Sequence, residues 1–309
     1  MTFISVVMPC YNEEENIREA YEQVKQALAQ LPDYTFEHIF IDNASKDGTV
    51  AILRDIARQD QNVKVIVNAR NFGHIRSPYY GLLQAQGDAV VILASDLQDP
   101  PCLIPDFIRK WQEGYKVVMG VKKKSEESRI VFAFRTFYYR LLRQMSEIEL
   151  VENYTGFGLY DQQVIEILRT LNDPYPYFRG LIAELGFESA RIEYVQPSRK
   201  RGITKNNFLT LYDTAMLGMT SHSKVPLRLA TMLGFVSAAM SLLVALFYFV
   251  YKLLFWNNFS VGSAPLVIGL FFFSSVQLFF LGIVGEYVGS MYTQVLKRPL
   301  VVEKERINF

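Results

Sequence analysis

Two stretches near the carboxyl end restrict this chain more than any other feature. Leu229 to Val250 and Ala264 to Gly285 each run for 22 residues without one Asp, Glu, Lys or Arg. About 20 apolar residues carry an α-helix across a hydrocarbon layer about 30 Å thick. Helices that stay apolar on every face for about six turns are rare in globular proteins, so both stretches are expected to cross a bilayer as a hairpin. Lys224 and Arg228 precede the first, Lys297, Arg298 and Lys304 follow the second, and the segment between them holds only Lys252. The bias of basic residues toward the cytoplasm then predicts a multi-pass protein of the cell (inner) membrane with both termini cytoplasmic. The expected organisation is a cytosolic catalytic domain at 1–206, a juxtamembrane amphipathic helix at 207–226, a hairpin at 227–290 with spans at about 229–250 and 264–285, and a cytosolic tail at 291–309.

The rest of the chain alternates between two periodicities. "ISVVMP", "HIFID", "VKVIVN", "AVVILA" and "YKVVMG" read as short buried strands. Between them lie helical patterns: Ile17, Ala20, Tyr21, Val24, Leu28 and Leu31 on one face, then "TVAILRDIARQ" and "IRSPYYGLLQAQ". Asn12 followed by Glu15 resembles a capping box for the first helix. Strands alternating with helices predict an α/β fold with a mostly parallel sheet covered on both faces. Such sheets bind ligands beyond the carboxyl ends of their strands. Those ends read "PCYNEE", "DNASKDGT", "NARNFGH", "ASDLQD" and "GVKKKSEESR", all polar or charged. Two segments, 130–145 with Arg135, Arg140 and Arg143, and 208–219 with Phe208, Leu211, Tyr212 and Met216, have the aromatic and basic character of helices that lie in a headgroup layer.

Net charge is +1, so no global field recruits nucleic acid and any anion site must be local. Cys10 and Cys102 form no metal spacing, and their scarcity fits a reducing compartment. The start, "MTFISVVMP", has neither the basic residues nor the cleavage site of a signal peptide, so none is expected. The run "VVILASDLQDPPCLIP" drives an apolar strand into Asp96, Gln98 and Asp99 before Pro100 and Pro101 stop it. Asp96 and Gln98 lie two apart and can point the same way from an extended segment. Hard oxygen donors of this kind suit Mg2+ or Mn2+, with a diphosphate completing the shell. Taken alone, they read equally well as caps of a Pro-Pro turn.

"VVMPCYNEEENI", "IDNASKDGT", "RNFGH", "DLQDPP", "GFGLYD", "FRGLIAELGF", "RKRGITK" and "KVPLRL" follow one another along nearly the whole chain. In that order they resemble glycosyltransferase family 2, and more narrowly its polyprenyl-phosphate glycosyltransferases, the group of dolichol-phosphate mannose synthase and the bactoprenol glucosyltransferases. The resemblance implies a GT-A nucleotide-sugar-binding domain and inverting transfer of a sugar to a lipid phosphate. It implies nucleotide contacts at Pro9, Tyr11, Glu13, Asp42, Asp47 and Ser95, and metal ligands at Asp96 and Gln98, with Asp96 also organising the reacting charges. Lys205, with Arg201 beside it, matches the cation of a loop that closes over the diphosphate. Lys122 matches a basic position for the acceptor phosphate, and Arg129 and Arg135 both lie near the expected place of a second. The bactoprenol-like hairpin points to UDP-glucose as donor and undecaprenyl phosphate as acceptor, with GDP-mannose an alternative donor. A two-span hairpin is small for a bilayer pocket, so a homo-oligomer is expected.

The sequence departs from the family pattern at three places. Asn43 stands where a second acid is usual, Ala94 where Asp-x-Asp would begin, and Gly156-Phe157-Gly158 where an acid, Phe and Arg are common. "GFGLYD" is not read as a dinucleotide loop, because it lacks a third glycine and a strand–turn–helix setting. His38, His74 and His222 form no recognisable acid/base pair and are read as satisfied polar positions. A phosphate acceptor needs no base: its second pKa is about 6, so the nucleophile arrives ionised. A hydroxyl acceptor would need one. A processive polysaccharide synthase is disfavoured by the lack of Gln-x-x-Arg-Trp and of further spans. A degenerate nucleotide-sugar sensor is the non-enzymatic alternative, prompted by Asn43 and Ala94.

Overall fold

The computed structural model of the chain describes residues 2–123, 151–197, 213, 216–221, 223–255 and 263–309. Its first half alternates as the hydrophobic pattern requires: β1 (Thr2–Cys10), α1 (Ile17–Leu28), β2 (Tyr34–Asp42), α2 (Thr49–Gln59), β3 (Val63–Asn68), α3 (Gly73–Gln84), β4 (Ala89–Ile92), a 3-10 turn at Pro101–Leu103, α4 (Ile104–Gln112) and β5 (Val117–Lys122). Then follow β6 (Tyr154–Asp161), α5 (Gln162–Leu171), α6 (Phe178–Glu184), β7 (Ser189–Tyr194), α7 (Val225–Leu254), α8 (Ser263–Val295) and β8 (Glu303–Ile307).

One eight-stranded sheet has the order β7-β5-β6-β4-β1-β2-β3-β8. Four neighbouring pairs are parallel, β1 with β2, β1 with β4, β2 with β3 and β5 with β7, and three are antiparallel. The central strands are apolar on both faces because both are covered. Ile4, Val6 and Met8 pack with residues of α1, α2 and α4, while Val7, Ile39, Ile41 and Val90 pack with residues of α3, α5 and α6. Helix α1 buries Ile17, Ala20, Tyr21, Val24 and Leu28, the face the spacing predicts. Its start differs from expectation: the cap is Asn16, and Asn12 instead sits in a left-handed turn with φ of 54°. The Asn12–Glu15 spacing is right for a capping box, but the chain has not yet entered the helix there.

Helices α7 and α8 run 30 and 33 residues, about 45 and 50 Å at 1.5 Å per residue. Each contains a 27-residue stretch long and apolar enough to cross a membrane, Val225–Tyr251 and Gly269–Val295, with mean hydropathy 2.2 and 1.6. Phe235, Leu242, Phe271 and Leu278 stand exposed on them. The Tyr287 hydroxyl donates to Ser223 O at 2.5 Å, tying the second half of α8 to the start of α7 as an antiparallel pair. The chain then returns to the sheet. Strand β8 pairs antiparallel with β3, matching Val65 with Ile307 and Asn68 with Glu303. Residues 303–307 of the expected tail are thus part of the catalytic sheet, held by Arg54–Glu305 and by Asn308 Nδ2, which donates to Ala57 O and Val63 O.

Candidate active site

The carboxyl ends of β1 to β5 share one edge of the sheet. β1 to β4 are parallel, and β5 runs with β4 because both are antiparallel to β6. The loops after β1 and β2 form one laced floor there. The Asn12 N–H donates to Ser45 Oγ at 2.8 Å, and Asn12 Oδ1 accepts from Lys46 N–H at 2.8 Å. Glu13 N–H donates to Thr49 Oγ1 at 2.9 Å, and Gly48 N–H to the Glu14 carboxylate at 2.7 Å.

The expected nucleotide-binding residues of these loops come together. Asp42 is fully buried at the end of β2, opposite Cys10 in the β1–β2 register. Burial pushes its pKa up, while the N–H and hydroxyl of Ser45, both bonded to it, oppose that rise. Asp47 braces the turn: one oxygen accepts from the Thr49 N–H and hydroxyl, the other from Glu14 N–H. Burial raises Asp47, but the Thr49 bonds outweigh it and hold the carboxyl below its ordinary range. Pro9 lies one residue before the end of β1, where its carbonyl accepts from buried Ser95 Oγ at 3.0 Å and so ties the β4 loop to β1. Tyr11 and Glu13 follow on the same loop.

After β4 the chain makes a tight turn with Leu97 in the left-handed region, φ 62°. Gln98 N–H donates to Asp96 Oδ1 at 3.1 Å, so the half-buried pair sits on one turn. Asp99 takes the structural part. Its two oxygens accept from Ala94 N–H at 3.1 Å and from the Tyr194 hydroxyl at 2.9 Å. Burial pushes Asp99 up, and Ala94 N–H and the charge of Lys122 draw it back. Lys122, the last residue of β5, therefore lies near enough to this turn to act on it. Arg129, Arg135, Arg201 and Lys205 lie outside the described residues, as do segment 130–145 and most of 208–219.

The edge is acidic. After burial itself, Asp42, Glu13 and Asp47 all push the Cys10 thiol upward. Such a field disfavours an anion unless a cation offsets it. Among the described residues no group of three or more His, Cys, Asp or Glu side chains gathers to hold a metal. Asp96 and Gln98 thus offer one carboxylate and one amide, a partial set of hard oxygens that suits Mg2+ or Mn2+ only when phosphate and water oxygens fill the remaining positions.

A model of the family described as glycosyl transferase family 2 matches residues 5–168. The chain belongs to glycosyl transferase family 2. Among relatives, the uncharacterized glycosyltransferase YkcC of Bacillus subtilis (strain 168) is 36% identical over 96% of this chain and 92% of its own. The SfII prophage-derived bactoprenol glucosyl transferase of Shigella flexneri is 34% identical over 98% of this chain and 97% of its own. Among solved structures, glucosyl-3-phosphoglycerate synthase from Mycobacterium tuberculosis, crystallised with Mn2+, uridine diphosphate and phosphoglyceric acid, is 21% identical, covers 71% of this chain and 76% of that one, and has a TM-score of 0.48.

This family 2 glycosyltransferase has a GT-A-like α/β fold, and two of its three departures from the family pattern have structural reasons, while nothing in the structure explains Ala94. Asn43 clasps its own loop after β2 to the end of β3 and the β3–α3 loop. Its Oδ1 accepts from Phe72 N–H at 2.8 Å and Asn68 Nδ2 at 3.3 Å, while its Nδ2 donates to Asn71 Oδ1 at 3.0 Å and Gly73 O at 3.1 Å. An acid could not donate twice. Gly158 lies in the middle of β6 opposite both Ile92 and Met119, and a Cβ there would fall 2.2 Å from Val118 O. The "GFG" stretch is therefore strand, not a phosphate loop, and Phe157 packs edge-on to Phe107 and Tyr194 at 5.0 and 5.3 Å.

Of the histidines, one corrects the sequence reading. His38 is buried with Nε2 unpartnered, and desolvation pushes its pKa down to about 3. It stacks near Phe40 and Tyr21 inside the sheet, away from the crevice. His74 is exposed in the first turn of α3, and His222 lies outside the described residues. Sequence pattern picks out Asn43 and Asp99 without these bonding roles, and it does not single out Tyr194 at all. The cue for Asp99 was its place in the acidic turn, whereas Tyr194, 95 residues away, left no local signal.

Proposed function

We propose that this glycosyltransferase moves glucose from UDP-glucose to undecaprenyl phosphate, with inversion at the anomeric carbon, for cell-envelope glycan modification. The observation that carries the reading is the relative named bactoprenol glucosyl transferase, aligned over 98% of this chain, a length that takes in both apolar helices. The catalytic edge is consistent with it. Pro9, Tyr11, Glu13, Asp42, Asp47 and Ser95 would bound the nucleotide, and Asp96 with Gln98 would hold Mg2+ or Mn2+. When bound, the ion offsets the charge that develops on the departing diphosphate. Lys205 and Arg201 would close over that diphosphate. Lys122, with Arg129 or Arg135, would receive the acceptor phosphate and align it with the anomeric carbon. That phosphate is largely dianionic at neutral pH, so Asp96 has no proton to remove.

Helices α7 and α8 would span the bilayer, and the return of β8 to the sheet supports an even number of crossings. The basic flanks favour a cytoplasmic catalytic domain and cytoplasmic termini. The expected divisions at 206, 226 and 290 are kept as part of this proposal, with two changes: α8 runs on to Val295, and the tail contributes a strand to the sheet. A two-span hairpin is small for a bilayer pocket, which favours assembly as a homo-oligomer.

The test is a panel of nucleotide sugars, GDP-mannose among them, offered to the purified chain with one polyprenyl phosphate. Glucose transfer from UDP-glucose is expected to dominate. Transfer only from GDP-mannose would change the sugar and keep the reaction, and binding without any transfer would favour the sensor.

A further inference from the structure

A cavity of about 350 Å³ opens at the carboxyl end of β3, on the opposite side of the sheet from Lys122. Arg70 and Phe72 reach it from the β3–α3 loop and Arg76 from the first turn of α3. Arg298, Pro299 and Val302 reach it from the segment that joins α8 to β8. Three guanidinium groups thus share one pocket, and among the described residues no carboxylate forms a salt bridge with any of them.

Their arrangement is costly as it stands. The Arg70 guanidinium lies 4.0 Å from the centre of the Phe72 ring and that of Arg76 5.5 Å from it, so one ring serves both. Arg76 donates through Nη2 to Pro299 O, while its Nε is buried with no partner. Burial first, then Arg70 and Arg298, push the ionisation of Arg76 down, and only Tyr175 acts in the other sense. Arg76 also stands in the first helical turn, where the helix dipole disfavours a cation. Arg76 is half-buried, Arg70 and Arg298 are exposed at the cavity mouth, and the three like charges are left without a carboxylate among the described residues. An anion in the cavity would offset the repulsion among the three cations and suit the helix start, and planar guanidinium forks match phosphate oxygens better than they match most other anions.

The position narrows the source of that anion. Arg298 lies three residues past Val295, the end of the second candidate span, and three residues reach at most about 11 Å. The headgroup region adds about 5–7 Å to each side of the hydrocarbon core. The pocket also stands three strands from β4, about 14 Å across the sheet, so it is separate from the Asp96 turn. We propose that Arg70, Arg76 and Arg298 form a docking site for the phosphate of an anionic membrane phospholipid, seating the β3–β8 side of the catalytic sheet against the bilayer. The proposal rests on α7 and α8 being membrane spans.

The experiment uses the full chain, delipidated in detergent, with native mass spectrometry and thermal unfolding as readouts. Phosphatidylglycerol is compared with phosphatidylcholine of the same acyl chains, and inorganic phosphate is a third arm. Wild type is expected to retain phosphatidylglycerol selectively and to melt higher with it. Arg70→Ala and Arg298→Ala are each expected to weaken retention about fivefold, with Arg298→Lys restoring part of it. Arg298 makes no hydrogen bond among the described residues, so its variants are expected to melt like wild type without lipid. Equal retention of both lipids, or undiminished retention by the double variant, would overturn the proposal. Inorganic phosphate binding as tightly as phosphatidylglycerol would reassign the pocket to a soluble anion. Release of wild type from membranes by alkaline carbonate would sink the span reading, whereas lost lipid selectivity in a carbonate-resistant chain would sink the pocket alone.

Discussion

Replacing Asn43 with Asp separates a structural departure from a degenerate active site. Asn43 is 7% exposed and donates two hydrogen bonds, at 3.0 and 3.1 Å, to Asn71 Oδ1 and Gly73 O. A carboxylate oxygen in place of Nδ2 would face two acceptors, one residue from fully buried Asp42. Protonation would restore one of the two bonds, so the folded state should hold that proton above the usual carboxylate pKa of about 3.9. The sign follows from linkage: the folded state binds the proton more tightly than the unfolded one, so stability falls as pH rises through this window. If the folded pKa is about 6, the cost at pH 7 is about 3 kcal/mol, and the bond not restored adds about 1 kcal/mol. At pH 4 only about 1.5 kcal/mol remains. For a domain of this size that corresponds to a melting temperature lower by about 8–16 °C at pH 7 and by about 3–6 °C at pH 4. Thermal unfolding of the full chain in micelles at pH 4, 5.5 and 7 reads this directly, with Asn43→Ala, which loses all four bonds at every pH, as a control whose loss does not vary with pH. An Asn43→Asp variant as stable as wild type, or equally destabilised at every pH, would refute the clasp.

Four further outcomes are expected. His38, held neutral down to about pH 3 by burial, leaves the unfolded chain to take the proton first as pH drops below 6.5, so stability is lost from there toward pH 3. His38→Phe should remove about 2 kcal/mol of the difference between unfolding at pH 7 and pH 5, seen in denaturant titrations. Gly158→Ala should fail to accumulate as folded protein, because its Cβ would fall 2.2 Å from the Val118 carbonyl; protease resistance reports this. Deleting residues 300–309 should uncover the edge of β3 and promote self-association visible by light scattering, whereas Glu305→Gln, which loosens only a half-exposed ion pair, should cost less than about 1 kcal/mol. Glu37→Gln should cost about 3 kcal/mol or more in denaturant unfolding, because Glu37 is buried and bonded to Ser5, Lys64 and Gln86.

What the sequence makes legible follows from where each signal resides. Strands buried on both faces announce themselves as apolar runs, so "VKVIVN" and "TVAILRDIARQ" map onto β3 and α2 residue for residue. Strand β6 hides because two glycines depress its propensity; the close approach to β5 requires one of them, and Phe157 supplies the packing. Strand β8 hides for the opposite reason. "EKERI" reads as a solvated charge run, yet charged residues are what an exposed edge strand carries. The site divides the same way. Asp42, Asp96 and Gln98 can be read from strand ends, but the clasp of Asn43 and the bond between Tyr194 and Asp99 depend on a strand order that local patterns do not encode.

The most direct measurement follows labelled glucose from UDP-glucose into undecaprenyl phosphate by purified wild type and Asp96→Ala, each with Mg2+ and with EDTA. Lipid-linked glucose should form with wild type and Mg2+, vanish with EDTA, and fall about a hundredfold or more in the variant. Transfer that survives both chelation and the loss of Asp96 would contradict a site built on that turn.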